Sequence, residues 1–407
     1  MNIKILFSTA LIATTLTSQA QDSRAYAITG KADNKFFWSE IRQIDMNTGK
    51  VTRVVFENGK STFTADGDAS KINGMPAANN DPMGFGVAAA ALDRQHNRLY
   101  FTPMHFAQLR YVDLDNKEPK FKYLDVDLLK TTTGSYLTEE SQITRMVIGA
   151  DGYGYAITND ANHLVRFTTG KKPAVTDLGN LVDADENKGI SIHNKCSSWG
   201  GDMIADAYGK LYVISASHNV FKVDPDTRIT THLGTIEGLP ANYTTNGAIV
   251  DENGKIVVSS ANTFDGYYRF ALDGLKAEKI ATNEQVYNAS DLANGNLLLQ
   301  KEADAARNEG RPVLAEVKLT GNDLVSVYPN PVTGTKFNVS IHSNPGNYVI
   351  AVTDLSGRAL LNQPAVISSK NQVVSVSFIK APAKGTYLIK VINSDNQNIY
   401  ADKIIVQ

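Results

Sequence analysis

One short β pattern recurs six times along most of this chain, and it constrains the fold more than any other feature. Each copy is an apolar strand that ends in a small or polar residue, and a second strand follows it. The first strands of the copies are residues 26–29, 99–102, 154–158, 211–215, 256–259 and 297–300. Four short antiparallel strands per repeat of about 45–55 residues are typical of a β-propeller blade. The pattern therefore predicts an all-β, six-bladed propeller.

The turns between these strands refine that prediction. In the four internal copies an Asp- or Asn-containing turn precedes the first strand, at residues 93–97, 151–152, 206–209 and 251–254. The first blade lacks an innermost strand and the sixth lacks an outermost one, so we expect either that strands from both ends of the repeat pair or that these blades are incomplete. A seven-bladed alternative stays open, with a degenerate blade in residues 57–85, although that segment has the Gly, Asn, Asp and Ala content of a long loop.

The last eighty residues carry a different pattern. Alternating apolar and polar residues, broken by Gly, Pro and Asp turns, predict a seven-strand immunoglobulin-like β-sandwich of about 75 residues. The segment opens with Tyr328, Pro329, Asn330 and Pro331, continues through turn 352–357 and strand 385–391, and ends with residues 403–406. It resembles the C-terminal sorting domain of proteins exported by the type IX secretion system of Bacteroidetes. An immunoglobulin-like binding module without a sorting role is the alternative.

That resemblance implies a destination. Such domains are recognised at the outer membrane and are often cleaved, so we expect a partner in the type IX secretion machinery and a protein that is secreted or held at the cell surface. Residues 1–4 begin a short basic region with Lys4, and residues 5–16 are mostly apolar, which predicts a signal peptide cleaved between Ala20 and Gln21. The apolar run is too short to span a bilayer, and no longer one follows, so no transmembrane segment is expected. The expected domains are residues 1–20, 22–320 and 325–407.

Composition limits the kinds of partner that this chain is expected to bind. The formal charge is −2, from 40 basic and 42 acidic residues that are interspersed, which argues against nucleic acid as a partner. The single cysteine, Cys196, excludes an intramolecular disulfide. His193 is near enough in sequence to activate it, but an inert loop thiol is the better interpretation.

Candidate ligand-binding residues come from the loops that join blades and from those between the second and third strands of a blade. In a propeller both sets lie on one face around the central channel, which we name the channel face. The candidates are Trp199, Arg145, Asp202, His105, His218, Asn246, Asn288 and Asp291. Aromatic and amide groups together suit a sugar or a peptide. Asn and Asp in such loops also cap turns, and Trp199 could serve either as a stacking platform or as a plug of the channel.

Motifs for catalysis are weak. Asp183, Asp185 and Asn187 resemble a calcium loop, but the glycine comes one place late and position twelve is Asn194 instead of Glu. A solvated acidic loop is the default interpretation, so no metal or other cofactor is expected. Ca²⁺ is the one ion for which the sequence contains even a weak binding motif. The histidines lack zinc-site spacing, and neither a nucleophile elbow nor a phosphate loop occurs.

Residues 206–227 resemble the blades of secreted bacterial six-bladed propellers, a fold that carries enzymes, sugar binders and scaffolds. We expect an exported binding or scaffold module for a glycan, peptide or protein ligand, and catalysis is not favoured. The alternative is a metal-dependent hydrolase, lactonase or lyase that acts on extracellular polysaccharide at the channel.

Overall fold

The computed structural model describes residues 21–31, 37–67, 81–130, 137–170, 172–308, 325–341, 345–354, 359–368, 372–378, 381–394 and 398–407. The chain divides into two compact units, Met1–Val313 and Leu314–Gln407. No helix among the described residues is both long and apolar enough to cross a membrane.

The first unit consists mainly of short strands. In chain order they are β1 (Arg24–Thr29), β2 (Glu40–Asp45), β3 (Val51–Phe56), β4 (Thr64–Asp66), β5 (Val87–Asp93), β6 (Arg98–Pro103), β7 (Gln108–Asp113), β8 (Lys120–Asp127), β9 (Ile143–Ile148), β10 (Gly154–Thr158), β11 (Leu164–Phe167), β12 (Val175–Gly179), β13 (Val182–Asp183), β14 (Asp202–Ala205), β15 (Leu211–Ile214), β16 (Asn219–Val223), β17 (Ile229–Thr235), β18 (Gly247–Val250), β19 (Ile256–Ser259), β20 (Tyr268–Phe270), β21 (Glu278–Lys279) and β22 (Ala289–Ala293). The described residues of this unit also contain a 3₁₀ helix, Asp185–Asn187, and two α-helices, α1 (Lys195–Ser198) and α2 (Gln300–Asn308).

These strands form five sheets within the described residues. The sheet orders are β22-β1-β2-β3, β4-β8-β7-β6-β5, β12-β11-β10-β9, β13-β17-β16-β15-β14 and β18-β19-β20-β21. Pairing is antiparallel except at two outer edges, where β4 runs parallel to β8 and β13 runs parallel to β17. Each sheet is therefore a four-stranded blade, and two blades carry an extra outer strand.

The innermost strands of these sheets make a closed ring. They neighbour one another in the order β22, β5, β9, β14, β18 and back to β22. Five hydrophobic clusters fill the spaces between successive blades, as where Phe56 of one blade meets Phe121 of the next with ring centroids 5.1 Å apart. Burial of these aromatic and aliphatic side chains is the main stabilising term of such a ring.

The described residues thus form five blades where the sequence predicted six. Five of the six copies are blades, with first strands in β1, β6, β10, β15 and β19. The copy at 297–300 is not: Leu298 forms only an isolated parallel bridge with Asp206, and α2 follows at once. The apolar residues 314–317, which the repeat pattern predicts as the second strand of this copy, lie outside the described residues. Of the segment proposed as a seventh blade, 64–66 is the outer strand β4 and 68–80 is not described.

The expected pairing of strands from both ends is confirmed. Ala289–Ala293 pairs antiparallel with β1 and supplies the innermost strand that the first blade lacked, with Ala27 opposite Leu292. Asn296 reinforces this closure, because its Nδ2 donates to the carbonyl of Asp22 at 2.7 Å and its Oδ1 accepts from the Asp22 amide at 2.9 Å.

Aspartates explain why the turns between the innermost strand of a blade and the next strand recur. The Oδ1 of Asp206 accepts from the amides of Tyr208 and Lys210, and its Oδ2 accepts from the Tyr212 hydroxyl at 2.9 Å. Asp151 makes the corresponding bond to Tyr155 at 2.7 Å. A short carboxylate that folds back on its own backbone favours a turn, so these aspartates set the hairpins.

The second unit is a β-sandwich with seven strands in its described residues. They are β23 (Val325–Tyr328), β24 (Lys336–Ile341), β25 (Gly346–Thr353), β26 (Ala359–Ile367), β27 (Gln372–Ser377), β28 (Gly385–Asn393) and β29 (Asn398–Val406). The two sheets have the orders β23-β24-β27 and β26-β25-β28-β29. Their facing sides bury one core that includes Phe337, Ile350 and Ile389. Turn residues 355–358 lie outside the described residues.

Candidate functional site

Arg145, one of the predicted channel-face residues, lies in β9 and is fully buried. Its Nε and Nη2 donate to the carbonyl of Gly200 at 3.1 and 2.9 Å, its Nη1 donates to Thr158 O at 3.1 Å, and its Nη2 also donates to Ser198 O. Burial lowers the pKa of Arg145 to about 10. The guanidinium therefore remains charged at neutral pH and uses its fork of donors to hold the loop that follows α1.

Trp199 is the C-cap of α1 and the first residue of that loop, and it is half-buried. Its Nε1 donates to the carbonyl of His193 at 3.0 Å, and Lys195 Nζ lies 4.9 Å from the ring centroid. Asn194 caps the helix, since its side chain accepts from the amides of Cys196 and Ser197. The indole is thus held on its own loop with part of its surface open, and a cation covers one face.

Asp202 and Asp291 lie on innermost strands, β14 and β22, and neither side chain is exposed. Asp202 accepts from the amides of Met203 at 2.6 Å and Ala248 at 2.7 Å. Neither carboxylate oxygen of Asp291 has a hydrogen bond of good geometry. Burial raises the pKa of both carboxyls well above the usual range, and the charge of Asp202 raises the pKa of Asp291 further.

Two predicted histidines occupy turns between second and third strands. His105 and His218 both have positive φ, 68° and 72°. The His218 ring donates to Tyr243 O, whereas His105 is exposed and packs edge-on against Phe85 with ring centroids 6.1 Å apart.

The two predicted asparagines bind backbone. Asn246 Oδ1 accepts from the Ala261 amide at 3.1 Å and from the Thr244 hydroxyl. Asn288 is fully buried, and its Nδ2 donates to Ala261 O at 3.0 Å. Both amides therefore fasten the same loop of the fifth blade, as expected of turn-capping side chains.

The centre of the ring is nearly filled. A cavity of about 10 Å³ remains there, and residues from all five innermost strands line it, among them Ala90, Met146, Met203, Ala248 and Leu292. That volume is about the minimum that one water molecule needs. The candidates Arg145, Asp202 and Asp291 consequently meet other protein groups around a closed channel.

The channel face nevertheless has an exposed strip that sequence reasoning did not assemble. We name it the rim strip, and it comprises Phe85, His105, Gln142, Glu139, Lys195 and Trp199. Gln142 Nε2 lies 3.4 Å from His105 Nδ1, and Lys195 Nζ pairs with Glu139 at 2.6 Å. The strip joins loops of the second, third and fourth blades. Its partners are up to 56 positions apart in sequence, so no local signal announces it.

An open depression of about 450 Å³ lies at the opposite ends of the innermost strands. It is lined by Gln21, Asp22, Ser23, Arg94 and Glu252.

The N-terminal residues of the described chain are held by polar contacts. The ion pair between Asp22 and Arg24, at 2.5 Å, lowers the pKa of Asp22. Gln21 was singled out as the residue after the predicted cleavage site, and its Nε2 donates to Leu297 O at 2.7 Å. Ala20 lies outside the described residues.

The proposed calcium loop is held by its own hydrogen bonds. Asp183 Oδ1 accepts from the amide of Ile192 at 2.9 Å, while Asn187 donates to Thr230 O and accepts from the His232 amide. Asp185 begins the 3₁₀ helix. Across the part of the chain that the structure describes, no group of three or more His, Cys, Asp or Glu side chains is placed to hold a metal ion.

In the sandwich, Asn330 links the Tyr328–Pro331 motif to the C-terminal strand. Its Nδ2 donates to Lys403 O at 2.9 Å and its Oδ1 accepts from the Ile405 amide at 2.8 Å. Tyr328 is 43% exposed. The motif is therefore fastened to β29 while its tyrosine remains accessible.

Comparison with known families identifies this unit. Residues 326–407 match the family described as the secretion system C-terminal sorting domain. The match confirms the sorting domain predicted from the sequence, and with it export to the cell surface or beyond through the type IX secretion machinery. A comparison with curated proteins found no match.

Solved structures add low similarities. PorZ, a surface component of the type IX secretion system of Porphyromonas gingivalis, is 15% identical over 94% of this chain and 51% of its own, with a TM-score of 0.33. This chain thus spans about half the length of PorZ. Virginiamycin B lyase from Staphylococcus aureus is 12% identical over 79% of this chain and 85% of its own, with a TM-score of 0.31. A Bacteroides thetaiotaomicron protein of unknown function is 16% identical over 52% of this chain and 55% of its own, with a TM-score of 0.37. Similarities this low carry no argument about activity.

Proposed function

We propose that this chain, which ends in a secretion system C-terminal sorting domain, is exported as a binding module whose propeller holds a glycan on its rim strip. The sorting domain supplies the destination. The propeller supplies the binding surface, and the two tasks are assigned to separate parts of the sequence.

The observation that carries this proposal is the contrast between the centre of the ring and its rim. At the centre, Arg145 and Asp202 are bonded to neighbouring backbone, and the cavity that the innermost strands line holds about one water molecule. A ligand larger than water therefore has to bind outside the channel. The alternative of a metal-dependent hydrolase, lactonase or lyase needs room for a metal ion and a substrate inside the channel, and a cavity of this size does not fit that arrangement.

The chemistry of the rim strip suits a carbohydrate. Phe85 is 42% exposed and stacks on Phe106 with ring centroids 5.9 Å apart, which fixes its orientation. Trp199 offers a second aromatic face near the other end of the strip. Between them, amide and charged groups of Gln142, Glu139 and Lys195 can bond hydroxyls. Aromatic faces with a few polar groups between them recognise sugars by stacking and hydrogen bonding.

The test is a glycan array probed with the exported protein and with Phe85→Ala and Trp199→Ala. We expect each substitution to lower binding of the same glycans by about tenfold or more, as truncation of a central aromatic contact does. Phe264→Ala is the matched control, because Phe264 is 37% exposed but lies outside the strip, and its binding should stay at the wild-type level.

Circular dichroism melting establishes that Trp199→Ala remains folded. Two results would reject the proposal: binding that is unchanged by both strip substitutions, or a steady turnover of the bound glycan that disappears in Glu139→Gln. The second result would instead favour the hydrolase or lyase alternative.

A further inference from the structure

Two carboxyl groups meet where the innermost strands of the propeller converge. Asp202 comes from β14 and Asp291 from β22, both side chains are completely buried, and each lies within hydrogen-bonding reach of the other. Two carboxylates buried side by side repel each other and lose their hydration, so such a pair needs a compensating positive charge.

The surrounding strands supply one such charge. On β9, Arg145 faces Asp202 with its buried guanidinium. Asp160 is the other charged group near that guanidinium. β18 contributes the amide of Ala248 and β5 the amide of Ala90, and neither strand places a charged side chain against the pair. One guanidinium against two carboxylates leaves one negative charge uncompensated.

The hydrogen bonds indicate which carboxyl is ionised. Both oxygens of Asp202 accept from backbone amides, those of Met203 and Ala248, and such bonds favour the charged form. Neither oxygen of Asp291 accepts a bond of good geometry. A protonated Asp291 has an O–H to donate, and the oxygen of Asp202 is the acceptor beside it.

We propose that Asp291 keeps a proton at neutral pH, that it donates this proton in a hydrogen bond to Asp202, and that the resulting pair ties β22 to β14 across the ring. The last strand of the propeller, which closes the ring, is thereby held by a proton. This inference does not depend on the glycan-binding proposal.

A dependence of stability on pH follows. In the unfolded chain both carboxyls ionise near pH 3.9. The folded pair retains a proton to higher pH. Between about pH 3.9 and the raised pKa of the folded pair, the folded state therefore binds more protons than the unfolded state, and the stability of the fold decreases as the pH increases. One proton corresponds to a tenfold change in the unfolding equilibrium constant per pH unit across that window.

Asp291→Asn tests the proposal, because the amide donates to Asp202 as the protonated carboxyl does but cannot ionise. We expect this variant to fold, to lose the part of the pH dependence that comes from the pair, and to become more stable than the wild type as the pH increases from 5 to 9. The readout is chemical unfolding followed by tryptophan fluorescence. Both tryptophans, Trp38 and Trp199, lie in the first unit, so the signal reports the propeller.

Asp251→Asn is the matched control. Asp251 is equally buried, but its carboxylate is paired with Arg269 Nε at 2.9 Å. That variant should lose stability and keep the pH slope of the wild type. Equal slopes in the wild type and Asp291→Asn would overturn the proposal.

Two further measurements keep the proposal testable if Asp291→Asn does not fold. An infrared band of a protonated carboxyl should persist in the wild type at neutral pH, and its absence would refute the assignment. Elemental analysis and melting with a chelator examine the other source of positive charge. A stoichiometric metal ion whose removal lowers the melting temperature would overturn the proposal, because a bound cation and not a proton would then compensate the charge of the pair.

Discussion

Removal of the Arg145 guanidinium is the sharpest test of the closed channel. Arg145→Met keeps most of the side-chain volume but leaves the carbonyls of Thr158, Ser198 and Gly200 without their donor. Each buried acceptor left unpaired costs about 1–3 kcal/mol. The loss also removes the charge that faces Asp202, while methionine avoids the cost of burying a cation. We expect a net loss of about 3–5 kcal/mol in the free energy of unfolding.

The assay is chemical unfolding of the propeller followed by tryptophan fluorescence, with Arg145→Lys as the comparison. Lysine retains the charge but lacks the planar fork that reaches three carbonyls, so its loss should be smaller, about 2 kcal/mol. If Arg145→Met unfolds within about 0.5 kcal/mol of the wild type, the loop does not depend on the guanidinium. Arg145 would then be available to a ligand, and the centre of the ring would not be purely structural.

Other expected outcomes concern single positions. Gly201→Ala should cost roughly 3 kcal/mol in propeller stability, because Gly201 has φ of +88° and a Cβ there would lie 1.9 Å from the Ile214 carbonyl oxygen. Gly152→Ala, at a similar φ of +81° but with open space around it, should cost only about 1–2 kcal/mol, and equal losses would show that the clash does not matter. Asn330→Ala removes two hydrogen bonds to β29 and should destabilise the sandwich by about 1–2 kcal/mol, which proteolysis of the sorting domain measures. The secreted fraction of that variant should fall, and unaltered proteolysis with unaltered export would contradict this role.

Five of the six repeat copies could be predicted because their signals are local. An apolar strand that follows a buried turn aspartate, as at Asp206 and Leu211, needs only its own hairpin to form. The copy at 297–300 has the same apolar composition but pairs with no strand among the described residues, and composition alone does not reveal a missing partner. The true closing strand, Ala289–Ala293, was overlooked because Ser290 and Asp291 interrupt its apolar pattern.

The roles of the candidate site residues could not be predicted from the sequence. Arg145, Asp202 and Asp291 were expected in the loops that join blades, but they lie within innermost strands. Whether such a side chain meets a ligand or backbone depends on chain segments far away in sequence, for example the Gly200 carbonyl that Arg145 binds. His105 and Trp199 of the rim strip were among the candidates, but the strip as a whole was not predicted, because Glu139 and Lys195 become neighbours only after two blades have packed together.

The number of blades and the state of the channel are linked by the small residues of the innermost strands. Fewer blades bring these strands closer, and close approach requires short side chains. β5 contains a run of alanines, Ala88–Ala91, and a Cβ at Gly247 in β18 would lie 2.8 Å from the Leu292 amide of β22. Larger residues at these positions would force the strands apart. Small residues in the innermost strands are therefore a sequence signal for a narrow ring with a filled centre, and in such a ring the surface available to a ligand is the rim.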